Sequence, residues 1–184
     1  ECERQNEVFF HFMRTKLPFT VLKYAMTLDG KTATVSGKSQ WITGEVARKR
    51  VHEDRGRYMA ILTGVSTVLA DNPQLTCRIP GGKNPIRVIA DTKLRTPLSS
   101  TVVQSARETP TWIVTAVSDT GRKKAYEDAG CRVLSVPAKE GELDLQAMMQ
   151  RLGEEKVDSV MVESGGTLAW SFLKAGLVNR VQAY

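Results

Sequence analysis

Histidine and cysteine are scarce: only His11 and His52, and only Cys2, Cys77 and Cys131, with no C-x-x-C pair. So few ligands give no basis for a histidine-rich metal centre or a zinc ribbon, and no metal is expected. An odd, unpatterned cysteine set argues equally against a disulfide framework, so free thiols are expected. Missing too is an H-x-E with a P-C-x-x-C, the pattern that zinc-dependent deamination needs. Long apolar runs are absent from the lead Glu1 to Lys16 (ECERQNEVFFHFMRTK), which is polar with one short aromatic cluster. It reads neither as a secretion signal nor as a membrane span, and a cytoplasmic location without membrane contact is expected. Internal repeats and low-complexity tracts do not occur.

What is present suits one globular domain. A chain of 184 residues that is 41% hydrophobic can bury a sizeable core. The net charge of +6 raises the question of nucleic acid, but basic residues are scattered among acids and the densest cluster is Arg48-Lys49-Arg50. That run reads as a solvated helix face, so no nucleic-acid partner is expected, while the positive balance suits anionic small molecules.

Runs rich in β-branched residues alternate with helix-like ones. Phe19 to Met26, Ala60 to Thr63, Ile86 to Ala90, Trp112 to Thr115, Cys131 to Val136 and Val157 to Val162 read as strands. Leu145, Met148, Met149 and Leu152 recur at helical spacing, with Asp144 as N-cap and Gly153 as stop; a second helix from about Asp119 to Ala129 ends at Gly130. Thr43 can cap a helix that carries Glu45 in its first turn, and Asp29-Gly30 marks a tight turn. The alternation predicts an α/β fold with a mainly parallel central sheet flanked by helices, ligands gathering at the carboxyl ends of the strands. Pro80 to Pro85 (PGGKNP) reads as a surface loop between two strands.

Three segments carry the chemical signal: Lys23 to Thr43 (KYAMTLDGKTATVSGKSQWIT), Thr63 to Arg78 (TGVSTVLADNPQLTCR) and Val162 to Leu173 (VESGGTLAWSFL). Each leaves an apolar run for small, hydroxyl-bearing or glycine-rich positions, where open amides and helix N-termini can meet anions. In the third, Glu163-Ser164-Gly165-Gly166-Thr167 follows the run VDSVMV and opens a helix with Leu168, Phe172 and Ala175 in register. It matches neither G-x-G-x-x-G nor the Walker pattern, so a pyrophosphate cradle and a structural turn both remain open. Glu163 is open between a helix-capping acid and a pocket carboxyl that accepts a ring N–H or, with a raised pKa, supplies a proton. Lys23 could point outward to solvent or inward, where it would need a partner. Arg55 and Arg78 have planar forks that suit a phosphate, against the alternative of surface ion pairs. Asp71 could cap the turn at Asn72-Pro73. Asp91-Thr92-Lys93 is ambiguous between a 2′-phosphate and a free 2′-hydroxyl on an adenosine.

Taken together, LKYAMTLDGKTA, SGKSQWIT, LTGVSTVLADNPQLTCR and VESGGTLAWSFL, in that order, closely resemble the reductase domain of the bacterial bifunctional riboflavin-biosynthesis deaminase/reductase, across nearly the whole chain from Pro18. The resemblance implies a dihydrofolate-reductase-like fold and reduction of the ribosyl C1′ of 5-amino-6-(5-phosphoribosylamino)uracil with NADPH. It implies Lys23 and Glu163 as catalytic residues, and Ser39, Arg55, Leu75, Arg78 and Glu163 at the phosphoribosylaminopyrimidine substrate. Ala25, Trp41, Thr67, Asp71 and Thr92, with Gly165, Gly166, Thr167, Leu168, Ala169, Trp170 and Ser171, are implied at the dinucleotide. Residues 1–17 resemble the end of the family's deaminase half and its linker. On this resemblance, residues 18–184 are the reductase domain, with a further hairpin expected beyond Tyr184, a deaminase domain of the same parent chain as partner, and a homo-oligomer. The rivals are another reductase of that fold acting on a pyrimidine or pterin, and a non-catalytic nucleotide-binding module; Arg55, Arg78 and Ser39 would have no role with folate.

Overall fold

The computed structural model describes residues 2–36 and 42–184. Its strands are β1 (Phe19–Tyr24), β2 (Ala60–Gly64), β3 (Ile86–Ala90), β4 (Thr111–Thr115), β5 (Arg132–Ser135), β6 (Ala138–Lys139), β7 (Glu142–Leu143), β8 (Ser159–Glu163) and β9 (Arg180–Ala183). The helices are α1 (Cys2–Gln5), α2 (Glu7–Thr15), α3 (Glu45–Arg57), α4 (Val65–Asp71), α5 (Thr101–Gln104), α6 (Thr120–Asp128), α7 (Leu145–Glu154) and α8 (Gly166–Lys174).

Seven strands form one sheet in the order β5-β4-β3-β2-β8-β1-β9, every pairing parallel. The expected α/β fold with a parallel sheet is therefore present. Neighbours along each strand point to opposite faces, and both faces are apolar, as buried parallel strands require. Leu22, Leu62, Val88 and Val114 join Met148, Leu152 and Phe172 in a core under α7 and α8. Val21, Ile61, Ile89, Ile113 and Met161 meet Val68, Val102 and Tyr126 on the other face, under α4, α5 and α6.

Strand ends fall within two residues of the expected ones, and the caps are mixed. Asp144 accepts a hydrogen bond from the Ala147 N–H at 3.0 Å, starting α7 as expected. Gly130, at φ +99°, follows the end of α6 as expected, and Gly30, at φ +82°, forms the expected turn with its N–H on the Thr27 carbonyl. Two expectations are corrected. Thr43 does not cap α3: Gly44 is the N-cap, and the Thr43 carbonyl instead accepts from Arg48 Nη1 at 2.6 Å. Gly153 does not stop α7 but lies inside it, because the chain at Lys16 crosses there; a Cβ on Gly153 would sit 2.0 Å from the Lys16 carbonyl oxygen.

The β6–β7 hairpin has no counterpart in the sequence reading. Its two turn residues, Glu140 and Gly141, both have positive φ (+53° and +82°), the combination that matches the twist of a two-residue hairpin. It sets Glu142 and Leu143 beside the carboxyl ends of the strands.

Candidate active site

The sheet order creates the site. β8 inserts between β1 and β2, so the turn after Glu163 opens between the ends of two strands far away in sequence. Such a reversal leaves a crevice outside the carboxyl ends. Two cavities lie there, of about 360 Å³ and 600 Å³, and both are lined by Ser66, Thr67, Ser164 and Gly165. They form two arms of one cleft.

The smaller arm has features that could hold a phosphate-bearing ligand. Gly64 and Gly165 are the N-caps of α4 and α8, and neither helix start has a side-chain cap, so among the described residues the amide donors of both first turns have no side-chain acceptors. A Cβ on Gly165 or Gly166 would meet nothing within 4 Å, so the backbone faces open space there. Ser164 Oγ is buried, has no hydrogen-bond partner among the described residues, and lines both arms. A buried hydroxyl without a partner marks a place where a ligand atom fits. These observations suit a dinucleotide along the two helix starts.

The larger arm is cationic. Lys23, Arg48, Arg55 and Arg78 line it, against the two acids Glu163 and Asp71. Arg55 donates from Nε and Nη2 to the two Glu163 oxygens at 2.8 and 2.9 Å, and from Nη1 to the Thr76 carbonyl at 3.2 Å. Lys23 Nζ approaches Glu163 at 3.8 Å, so the lysine is the inward one. The Glu163 side chain is only 12% exposed, and burial raises its pKa, but hydrogen bonds from Arg55 and the charges of Arg55 and Lys23 outweigh this and hold it below the ordinary value. Glu163 is therefore an ionised acceptor rather than a stored proton. His52 is kept neutral by burial, then by the charges of Arg55 and Arg78, and its Nδ1 accepts the Arg78 backbone N–H at 3.3 Å.

The loop carrying Arg78 is anchored from below. Arg87, fully buried in β3, donates to the carbonyls of Gln74, Val102, Ser105 and Thr109 and to the Ser105 hydroxyl. With no carboxylate among these partners, burial pushes its pKa down to about 10. Together with the Arg55 bond to Thr76, it ties down the chain between α4 and Arg78.

The larger arm is lined, among the expected residues, by Lys23, Ala25, Arg55, Asp71, Arg78, Glu163, Gly166 and Ala169. Thr92, Thr167, Leu168 and Ser171 line the smaller arm, and Thr67 and Gly165 line both. Leu75 lines neither: its side chain is core, on a backbone at φ +54°. Trp170 lines neither and is 65% exposed. Ser39 and Trp41 lie outside the described residues. Asp91 is buried, its Oδ2 accepting the Thr96 N–H and hydroxyl, both at 2.7 Å.

Sequence reasoning missed Arg48, His52, Ser164, Arg95 and Glu142. The first two were legible: Arg48, His52 and Arg55 stand at i, i+4 and i+7, one face of α3. The run Arg48-Lys49-Arg50 is thus split, with Arg48 on the cavity and Arg50 paired with Glu53 at 3.2 Å.

The RibD C-terminal domain family model matches residues 18–184. The chain belongs to the RibD C-terminal domain family. It is 48% identical, over its full length, to the riboflavin biosynthesis protein RibD of Actinobacillus pleuropneumoniae, of which it covers 49%. It is 40% identical over 168 residues to the 2,5-diamino-6-ribosylamino-4(3H)-pyrimidinone 5′-phosphate reductase of Methanothermobacter thermautotrophicus, covering 90% of this chain and 76% of that one. The structure of a Thermotoga maritima diaminohydroxyphosphoribosylaminopyrimidine deaminase/5-amino-6-(5-phosphoribosylamino)uracil reductase superposes with a TM-score of 0.78 at 34% identity, over 98% of this chain and 48% of that one. This member of the RibD C-terminal domain family spans about half the length of the RibD proteins it matches, and its sheet is the dihydrofolate-reductase-like one that the motifs implied. Among the described residues no helix is long and apolar enough to cross a membrane.

Proposed function

We propose that this chain catalyses the NADPH-dependent reduction of the ribosyl C1′ of 5-amino-6-(5-phosphoribosylamino)uracil, as a cytoplasmic step of riboflavin synthesis. The observation that carries the reading is the shared wall of the cleft: Ser66, Thr67, Ser164 and Gly165 stand between an arm with two open helix starts and an arm with four cations. A dinucleotide in the first arm and a phosphorylated pyrimidine in the second would meet at that wall.

The helix starts at Val65 and Gly166 would take the pyrophosphate, and Thr67, Thr92 and Ser171 the sugars and adenosine. NADPH, when bound, supplies the hydride that C1′ accepts. Arg78 and Arg48 would take the substrate phosphate. Arg55 has its fork on Glu163 and orients it, so that the ionised carboxylate can accept a pyrimidine N–H. When the ribose opens, its C1′ becomes an imine carbon; hydride addition there leaves the nitrogen needing a proton. Because Glu163 is held ionised, Lys23, or a water on its ammonium, is the donor. The deaminase half of a longer parent chain would supply the substrate, and self-association of the domain is part of the same proposal.

The test is oxidation of NADPH on addition of 5-amino-6-(5-phosphoribosylamino)uracil, set beside its 2,5-diamino counterpart, for which the archaeal relative is named. Turnover of the first substrate supports the reading. Turnover of only the second, or of neither, sinks it.

A further inference from the structure

The smaller arm contains a charge arrangement that the reaction does not explain. Asp91, the acid at the end of β3 that could have held a free ribose hydroxyl, is turned into its own turn and spent on Thr96. The carboxylate that does line the cavity is Glu142, brought by the β6–β7 hairpin, and its Oε2 accepts from the Thr92 hydroxyl at 3.2 Å. Arg95 lines the same cavity, and its side chain makes no hydrogen bond or ion pair among the described residues. Arg122, which also reaches the turn after β3, is committed to the carbonyls of Lys93 and Leu94 at 2.7 and 3.1 Å.

Resting on the assignment of this arm to the dinucleotide, we propose that Arg95 and Glu142 together set the preference between a 2′-phosphorylated and a 2′-hydroxyl adenosine. A phosphate dianion placed beside Thr92 would meet the Glu142 carboxylate, a repulsion that only a cation offsets. Arg95 supplies one in the forked form that matches phosphate oxygens. With the phosphate present, the Thr92 hydroxyl turns from Glu142 to a phosphate oxygen. With a free 2′-hydroxyl, Glu142 is the acceptor that the hydroxyl needs, and Arg95 has no anion to hold. The two residues pull the preference in opposite directions.

The experiment is equilibrium binding of NADPH and NADH to this chain by nicotinamide fluorescence, repeated with 2′,5′-ADP and 5′-AMP as probes of the adenosine end alone. Arg95→Gln should weaken NADPH and 2′,5′-ADP by about 10- to 100-fold, the range of one lost charge-assisted contact, and leave NADH and 5′-AMP within about twofold. Arg95→Lys should recover part of the loss. Glu142→Gln should act oppositely, tightening NADPH by about two- to tenfold and weakening NADH. Equal loss of both nucleotides in Arg95→Gln, or no loss, overturns the proposal while leaving the cavity assignment intact. Failure of the unmodified chain to bind either nucleotide would instead overturn the assignment of the arm, and the proposal with it.

Discussion

Lys23 and Glu163 are register partners across the parallel strands β1 and β8, and their side chains meet over the carboxyl edge of the sheet at 3.8 Å. The pair is possible only because β8, which arrives late in the chain, takes the place beside β1. A carboxylate already bound by Arg55 on both oxygens has no proton to give, so in the proposed reduction the donor is the ammonium.

Replacement of Lys23 by Met should therefore lower kcat by about 10²- to 10⁴-fold, the usual worth of a positioned acid, with NADPH affinity nearly unchanged. Single-turnover rates beside nucleotide titration will show it. A rise in KM with kcat intact would make Lys23 a binding residue instead.

Arg78→Ala tests the phosphate end. Its side chain is exposed at the mouth of the larger arm, so the variant should fold normally while kcat/KM falls by about 2–3 kcal/mol, as for a lost charged hydrogen bond. NADPH binding should hold. Parallel loss of substrate and cofactor affinity would refute the assignment.

Gly166 opens α8 where a side chain would enter free space rather than strike the protein. In Gly166→Val, thermal stability should fall only modestly, and NADPH binding should collapse because the branched side chain fills the approach to the amides. Normal NADPH binding in this variant would show the turn to be purely structural.

Gly153→Ala should do the reverse, leaving the cleft chemistry alone and costing about 1–3 kcal/mol or more of stability, because the added methyl must displace the backbone at Lys16. A helix interior ordinarily gains from this exchange. A raised melting temperature would mean that the crossing at Lys16 is not held in solution.

Acid should destabilise the protein in two stages. His52 has a folded pKa below its ordinary 6.5, so the unfolded chain binds more protons first, and stability starts to fall as pH drops past that value. Glu163 has a folded pKa below its ordinary 4.5, so its contribution is complete above 4.5 and is lost as pH falls through the lower, folded value. The stability gap between the parent and Glu163→Gln, followed by denaturant titration across pH, should narrow below about 4.5. A gap that widens on acidification would reverse the sign argued here.

Local features were legible in the residues themselves. Runs rich in β-branched residues announced the strands, Asp144 its cap, Gly130 the end of α6, and the motif segments the family, because each of these is written in residues a few positions apart. Even the hairpin at Glu140-Gly141 and the i, i+4, i+7 face of α3 were within reach of local rules.

The remainder depended on contacts between distant segments. Gly153 reads locally as a helix stop, yet it is glycine because Lys16 passes 2.0 Å from where its Cβ would be. Glu163 was open to reading as a cap, a proton donor or an acceptor until the fold brought Arg55, 108 positions away, onto both its oxygens. Arg87 gave no signal at all, since a buried arginine whose Nη1 and Nη2 are held by carbonyls has no sequence spacing. Strand pairing, burial and charge compensation are properties of three-dimensional neighbourhoods; the sequence determined which elements form and what chemistry they carry, and the insertion of β8 between β1 and β2 alone decided which of those side chains face one another.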